Sequence, residues 1–447
     1  MRNPVQTLIA GYVGVILIGA LLLWLPISRT GPLSPIDALF TSTSALCVTG
    51  LIVKDTGVFF TPFGKGILAV LIEIGGLSYM TFATMFLFLV GKRGSLVVRR
   101  TMAASYPDLS MGEVYSFAKK IVVITLILEL FGTLLLFPEF SHRFGLLPGL
   151  GHAAFTSVSA FCNAGFSTFS TNLLQWAGNP LVNFTVMGLV VLGGLGFIAL
   201  DEYFHRYISR KRRKLTLHSR MVGLMTTILI VSAFVAFLLA EWDGVLRSMP
   251  VAQKLIAGLF MAITPRTAGF NTVDYANIGV FSLLITMILM ILGGSPGGTA
   301  GGLKTTTVAS VFLRLGATLR GKTEVSALGY RVPASALRKS FAALVLSGIT
   351  VMGALVVLSL TDSASMTGRG FLPVMFEVFS AFGTVGLSTG SSTVANASLS
   401  ADLSVLGKSV IIITMLIGRI GVLSMFISFV KPERDLVRHV EGKLVVG

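Results

Sequence analysis

The sequence predicts an all-α polytopic membrane protein, with eight transmembrane helices and four re-entrant pore loops forming four helix–pore loop–helix repeats around one pseudo-four-fold pore. Three observations carry that expectation. Charged residues make up only 12% of the 447 residues, the AVILMFWYC set reaches 53% and the mean hydropathy is +0.85, whereas an ordinary globular chain is about one-quarter charged. Eight apolar stretches are long enough to cross ~30 Å of hydrocarbon as helices. The net charge of +16 is sorted to one side of those stretches.

The stretches lie near 5–27, 63–90, 119–137, 181–200, 221–241, 278–315, 340–360 and 408–430. The first begins like a signal peptide with Arg2, but Trp24-Leu25-Pro26 ends it without a small-residue cleavage site, so it reads as a mature helix. Segments 91–120, 201–220, 314–340 and 431–447, with Arg2, hold 24 Lys/Arg against 8 acids, a difference equal to the whole net charge of +16. By the positive-inside rule these segments and both termini are cytoplasmic. The run Arg210-Lys211-Arg212-Arg213-Lys214 therefore reads as an orientation signal or an anionic-lipid contact, not as a nucleic-acid site. Two cysteines, at the same repeat position, read as buried small residues, and no Cys/His cluster offers a zinc ligand set.

On the opposite side, the connections after spans one, three, five and seven each carry a short apolar stretch running into a small-residue motif. These read Ser44-Ala45-Leu46-Cys47-Val48-Thr49-Gly50, Ser159-Ala160-Phe161-Cys162-Asn163-Ala164-Gly165, the looser Thr264-Pro265-Arg266-Thr267-Ala268-Gly269, and Ser380-Ala381-Phe382-Gly383-Thr384-Val385-Gly386. A second mark recurs in the following span: Gly75-Gly76, Gly193-Gly194, Gly293-Gly294 and Gly418-Arg419. Two marks in register four times argue for an internal repeat, with units 1–92, 113–210, 219–316 and 335–431 and a tail 432–447. A short helix stopping inside the membrane points its carbonyl end inward. A glycine-containing strand beyond it can aim carbonyl oxygens at a cation, and irregular backbone at that depth is tolerated only where it lines a cavity.

Residues 293–305 concentrate six glycines and Pro296 within one span, which breaks the helix, since each Gly costs about 1 kcal/mol and Pro about 3 kcal/mol relative to Ala. The stretch is not a phosphate loop, because Leu303 separates Gly302 from Lys304 and the context is a membrane span. Arg419 falls mid-way along the eighth stretch, where a charge must face water or a partner; it is expected to project toward the axis, with pairing to Glu73 or Glu129 as the structural alternative. Glu377 and His152 lie in short pore segments, Glu377 facing cations or loop amides and His152 interfacial. Trp176 and Trp242 read as belt residues. Two rival functions compete. A coupled secondary carrier would hold its ion at the midplane, and an intramembrane serine protease would use Ser167 or Ser388, for which no mid-span histidine offers a base.

With these four loops, Thr384-Val385-Gly386 and the interrupted sixth span, the chain resembles the Trk/Ktr/HKT superfamily of potassium-translocating subunits over residues 1–447, most closely its KtrB branch. The resemblance implies potassium uptake across the cell membrane and no enzymatic activity. It implies a filter of Val48, Thr49, Gly50, Asn163, Ala164, Gly165, Thr267, Ala268, Gly269, Thr384, Val385 and Gly386, whose carbonyls hold potassium. It implies a gate of Gly293, Gly294, Gly297, Gly298, Gly301, Gly302, Lys304 and Arg419. It further implies a homodimer, sodium as a candidate stimulating ion, and nucleotide bound only by a separate KtrA-like cytosolic ring.

Overall fold

The computed structural model describes residues 4–77, 111–207, 214–363, 368 and 370–429. The rest of the second stretch to residue 90, most of the basic segment 91–120, Arg210–Arg213 and the tail 432–447 lie outside the described residues.

The described chain is built almost entirely of helices. It begins with α1 (Pro4–Trp24), α2 (Pro35–Leu46), the one-turn α3 (Thr56–Phe59) and α4 (Pro62–Gly76). There follow α5 (Met111–Phe144), α6 (Leu146–Phe161), α7 (Pro180–Gly194) and α8 (Phe197–Tyr207), then α9 (Leu217–Glu241), α10 (Val251–Ile263), α11 (Val280–Ile291) and α12 (Thr305–Leu319). A hairpin, β1 (Ser326–Ala327) and β2 (Tyr330–Arg331), leads to α13 (Ala334–Thr361), α14 (Phe371–Gly383), α15 (Val405–Ile420) and α16 (Val422–Ile427).

Helices α1, α5, α9 and α13 are each long and apolar enough to cross a membrane unbroken. Three later stretches are interrupted among the described residues, at α7/α8, at α11/α12 and at α15/α16, and here the structure corrects the sequence reading, which expected a break only in the sixth stretch. Helix α7 turns by 108° into α8, with Gly196 at φ +87°, and α15 stops at Gly421 with φ +93°. Both are backbone conformations that favour glycine and end a helix. Arg419 therefore lies in the last turn of α15, not in the middle of a continuous helix, and its charge meets the negative end of the helix dipole.

Four contacts between helices follow a cyclic order: α4 packs on α6, α7 on α10, α11 on α14, and α15 on α2. The last of these contacts carries an ion pair, with Lys408 Nζ 2.7 Å from Asp37 Oδ1 and side chains only 13% and 11% exposed. Removing one partner of a buried pair strands the other charge, at a cost of about 3–5 kcal/mol. Lys408→Met should accordingly lower the unfolding midpoint in detergent, and Lys408→Met with Asp37→Asn should recover much of the loss; an unchanged midpoint in the single variant would show that Asp37 is solvated.

The two tryptophans divide. Trp242 is partly exposed and carries the Lys254 ammonium 4.5 Å from its ring. Trp176 does not face outward: it is buried against Phe140 and Phe169, with the Arg143 guanidinium 5.2 Å from its ring.

Candidate functional site

Helices α2, α6, α10 and α14 end in the same way. Val48, Asn163, Thr267 and Thr384 take positive φ of 56°, 60°, 71° and 51°, and two residues later Gly50, Gly165, Gly269 and Gly386 take φ of 92°, 69°, 74° and 90°. The helix stops on a left-handed residue and the strand beyond it turns at the glycine. Thr49, Ala164, Ala268 and Val385, between these pairs, are all buried.

The four strands converge. A Cβ placed on Gly50 would stand 2.5 Å from Ala164 O, and one on Gly165 would stand 3.0 Å from Ala268 O. A Cβ on Gly269 would strike Val385 O, and one on Gly386 would strike Thr49 O. In every case the glycine of one loop lies against the carbonyl that precedes the glycine of the next, and the fourth loop returns to the first. Only glycine leaves room for backbones to approach in this manner. The four glycines, with residues beyond them such as Phe166 and Leu387, line a cavity of about 180 Å³ whose wall includes Asp55 and Asp274.

A hydroxyl clasps each loop. Ser44 Oγ accepts from Gly50 N at 3.1 Å, Ser380 Oγ accepts from Gly386 N at 3.0 Å, Ser159 Oγ donates to Phe166 O at 2.7 Å, and Thr264 Oγ1 donates to Phe270 O. The backbone bond closing the turn spans five residues in three loops, for example Thr49 N to Ser44 O, but four in the third, Ala268 N to Thr264 O. The looseness of the third motif is thus a turn shortened by one residue. These hydroxyls head the four quoted motifs, a recurring signal that sequence reasoning left unused. The Thr49, Thr267 and Thr384 hydroxyls are buried without a hydrogen-bond partner.

The residues preceding the ring meet the 293–304 loop. Its neck closes through a parallel bridge between Leu292 and Leu303, through Thr305 N donating to Gly294 O, and through the Ser295 and Thr305 hydroxyls 3.1 Å apart. Its tip enters the bend between α7 and α8: Ser295 N donates to Gly194 O at 2.9 Å, Thr299 N to Gly193 O at 3.3 Å, and Phe197 N to Gly297 O at 3.1 Å. The loop thereby satisfies the backbone groups that the bend frees, which buried irregular backbone requires. A Cβ on Gly301 would strike Thr384 Oγ1, so the loop passes directly beside the fourth short helix's end. Lys304 folds back, its Nζ donating to Ala300 O at 2.6 Å. Arg419 donates to Thr299 O in the loop and to Gly75 O at the end of α4, pinning the loop between two units.

A family model described as TrkH, cation transport protein, matches residues 1–438. The chain belongs to the TrkH cation transport family. It is similar, at 37% identity covering 100% of this chain and 97% of the relative, to the Ktr system potassium uptake protein B of Bacillus subtilis. It is 36% identical to the potassium/sodium uptake protein NtpJ of Enterococcus hirae, covering 97% and 94% of the two chains. The crystal structure of the potassium transporter TrkH from Vibrio parahaemolyticus shares its fold, with a TM-score of 0.74, 18% identity, and 97% of this chain and 85% of that chain covered. The relatives are named as transporters, and a transporter rather than an enzyme is what this family member is.

Other sequence candidates fall outside the ring of this TrkH family member. Arg419 reaches neither Glu73 nor Glu129; those carboxylates flank Cys162, whose Sγ lies 3.5 Å from Glu73 Oε2 and 3.7 Å from Glu129 Oε1. Both cysteines are free and buried. Glu377 takes the loop-amide role: it accepts from Ser400 N at 2.9 Å and from the Ser388 and Ser400 hydroxyls, fastening the chain beyond Gly386. Ser388 is thereby committed to Glu377, and Ser167 Oγ accepts from Phe169 N, so among the described residues neither serine is paired with a histidine. His152 contacts Thr168 Oγ1 at 2.6 Å and stacks on Phe169. Beyond the fourth loop, burial pushes the Asp402 carboxyl up, but donors from Ser391, Thr393 and Ser392 outweigh it and hold the group well below the usual carboxylate range.

Proposed function

We propose that this chain takes up potassium across the cell membrane through a filter made by the four glycine loops. The observation that carries the reading is the cyclic approach of Gly50, Gly165, Gly269 and Gly386 to the carbonyls of Ala164, Ala268, Val385 and Thr49. A ring of backbone carbonyls replaces the hydration shell of a monovalent cation and repels an anion. The residues Val48–Gly50, Asn163–Gly165, Thr267–Gly269 and Thr384–Gly386 form the filter of four helix–pore loop–helix repeats. The 293–304 loop, pinned by Arg419, is the gate. The names of the relatives, a potassium uptake protein and a potassium/sodium uptake protein, support potassium as the cargo and give sodium a place as a second ion. A homodimer on a KtrA-like nucleotide-binding ring completes the reading, with nucleotide held by the ring.

The purified chain in liposomes tests this directly: rubidium should enter down its gradient without sodium, and sodium should compete poorly. Uptake that requires sodium and saturates at low turnover would replace the filter with a coupled carrier.

Topology provides a separate check, because the buried cysteines leave a quiet background for thiol labelling. A membrane-impermeant reagent added outside intact cells should label Val58→Cys, at a residue 66% exposed, and should label Lys322→Cys only after permeabilisation. The reverse pattern would overturn the orientation and the direction of uptake with it.

A further inference from the structure

Between the end of α12 and the start of α13 the hairpin flanks a half-open cavity of about 520 Å³ whose wall includes Arg314, Arg331, Arg338, Glu324 and Phe341. The hairpin is tight: Ser326 pairs with Arg331 and Ala327 with Tyr330, around a turn with Leu328 at φ 51° and Gly329 at φ 83°. Three guanidinium groups thus share one wall with a single carboxylate. Glu324 is taken by Arg331 at 3.0 Å, Arg314 donates to Thr323 O at 3.1 Å, and Arg338 makes no hydrogen bond or ion pair with the described residues.

Exposed apolar residues flank these arginines on both helices. On α12, Arg314 stands between the exposed Phe312 and Leu315, and Leu319 beyond them is 80% exposed; on α13, Phe341, one turn after Arg338, leads into exposed Leu344 and Val345. The cationic cavity therefore lies beside two stripes of exposed apolar residues. A dissolved anion or an acidic peptide would need the charge alone. A ligand with a phosphate head and acyl chains uses both features, since a guanidinium fork matches phosphate oxygens and basic pockets between membrane helices on the cytoplasmic side suit anionic headgroups.

We infer that this cavity binds the phosphodiester headgroup of one anionic phospholipid, with its acyl chains lying along α12 and α13. The leaflet occupied rests on the topology proposed above and is tested separately by the Lys322→Cys labelling; the lipid class rests on the cavity itself. The full chain, delipidated in detergent, is titrated with phosphatidylglycerol or with phosphatidylcholine of the same acyl chains, and bound lipid is counted by native mass spectrometry. The wild type should retain phosphatidylglycerol in preference to phosphatidylcholine, and R314Q/R338Q should weaken phosphatidylglycerol retention by about tenfold or more. The exposed single variant R338Q should show a smaller loss in the same direction, which keeps the test valid if the double variant misfolds.

Equal retention of the two lipids by the wild type, or unchanged retention in both variants, would overturn the inference. Displacement of the lipid by glycerol phosphate at the same concentration would make the cavity a site for soluble phosphate. Loss of cytosolic ring binding in R338Q, with lipid retention intact, would make it a protein contact.

Discussion

Replacing Gly269 by Ser lowers the rubidium-over-sodium flux ratio by about tenfold or more, which corresponds to about 1.4 kcal/mol of lost discrimination. The added Cβ would strike Val385 O and stand 3.0 Å from Gly165 Cα, so the carbonyl of the fourth loop must move. A carbonyl shift of that kind alters the field offered to a dehydrated cation while leaving the short helices in place. Gly165 and Gly269, at φ 69° and 74°, are nearer the left-handed region that other residues can enter than Gly50 and Gly386, at 92° and 90°. Gly165→Ser and Gly269→Ser are therefore the variants most able to fold with altered selectivity, and Gly50→Ser and Gly386→Ser add backbone strain. Gly188→Ala, with open space around the position, is the matching control and should leave the ratio unchanged. Unaltered selectivity in all four Ser variants would remove the filter reading.

The second large effect is on rate. Arg419→Ala raises potassium flux in the absence of a regulator by about a hundredfold or more, because two unit charges 4 Å apart repel by about 4 kcal/mol at an effective dielectric of 20. The same substitution removes the donors to Thr299 O and Gly75 O and frees the loop tip. Shortening Gly297–Gly302 should raise flux as well. Arg419→Lys separates the two contributions: a persistently low flux assigns the barrier to charge, and a raised flux assigns it to the double tether. Flux measured per folded protein at or below wild type in both Arg419→Ala and the shortened loop would discard the gate while leaving the filter standing.

What the sequence revealed and what it hid follow from the range of the interactions. The long entering helices are written in continuous apolar runs, and the four glycine loops in motifs that recur in register. The bend after Gly194 is not, because glycine is common in membrane helices. Its direction is set by amides a hundred residues away, Ser295 N on Gly194 O and Thr299 N on Gly193 O. The partners of Arg419 escaped for a related reason: a search among acidic side chains cannot find two backbone carbonyls. The hairpin after α12 escaped because a left-handed Leu328 before Gly329 lacks the Asn-Gly or Asp-Gly signature of such turns. Asp37 and Lys408 meet across 371 residues, a separation at which residue type alone specifies no pairing.

The contact of α15 on α2 also orders the birth of the molecule. Helix α2 is made first, and Lys408 on the helix that covers it follows Asp37 by 371 residues. During the interval Asp37 has no ammonium beside it, and the carbonyl of Thr49 has no Gly386 to lie against. A chain that stops short of these residues therefore carries an uncompensated Asp37 charge and an unclosed ring of glycine loops. Closure of the ring thus waits on a segment made 371 residues after the one it must meet.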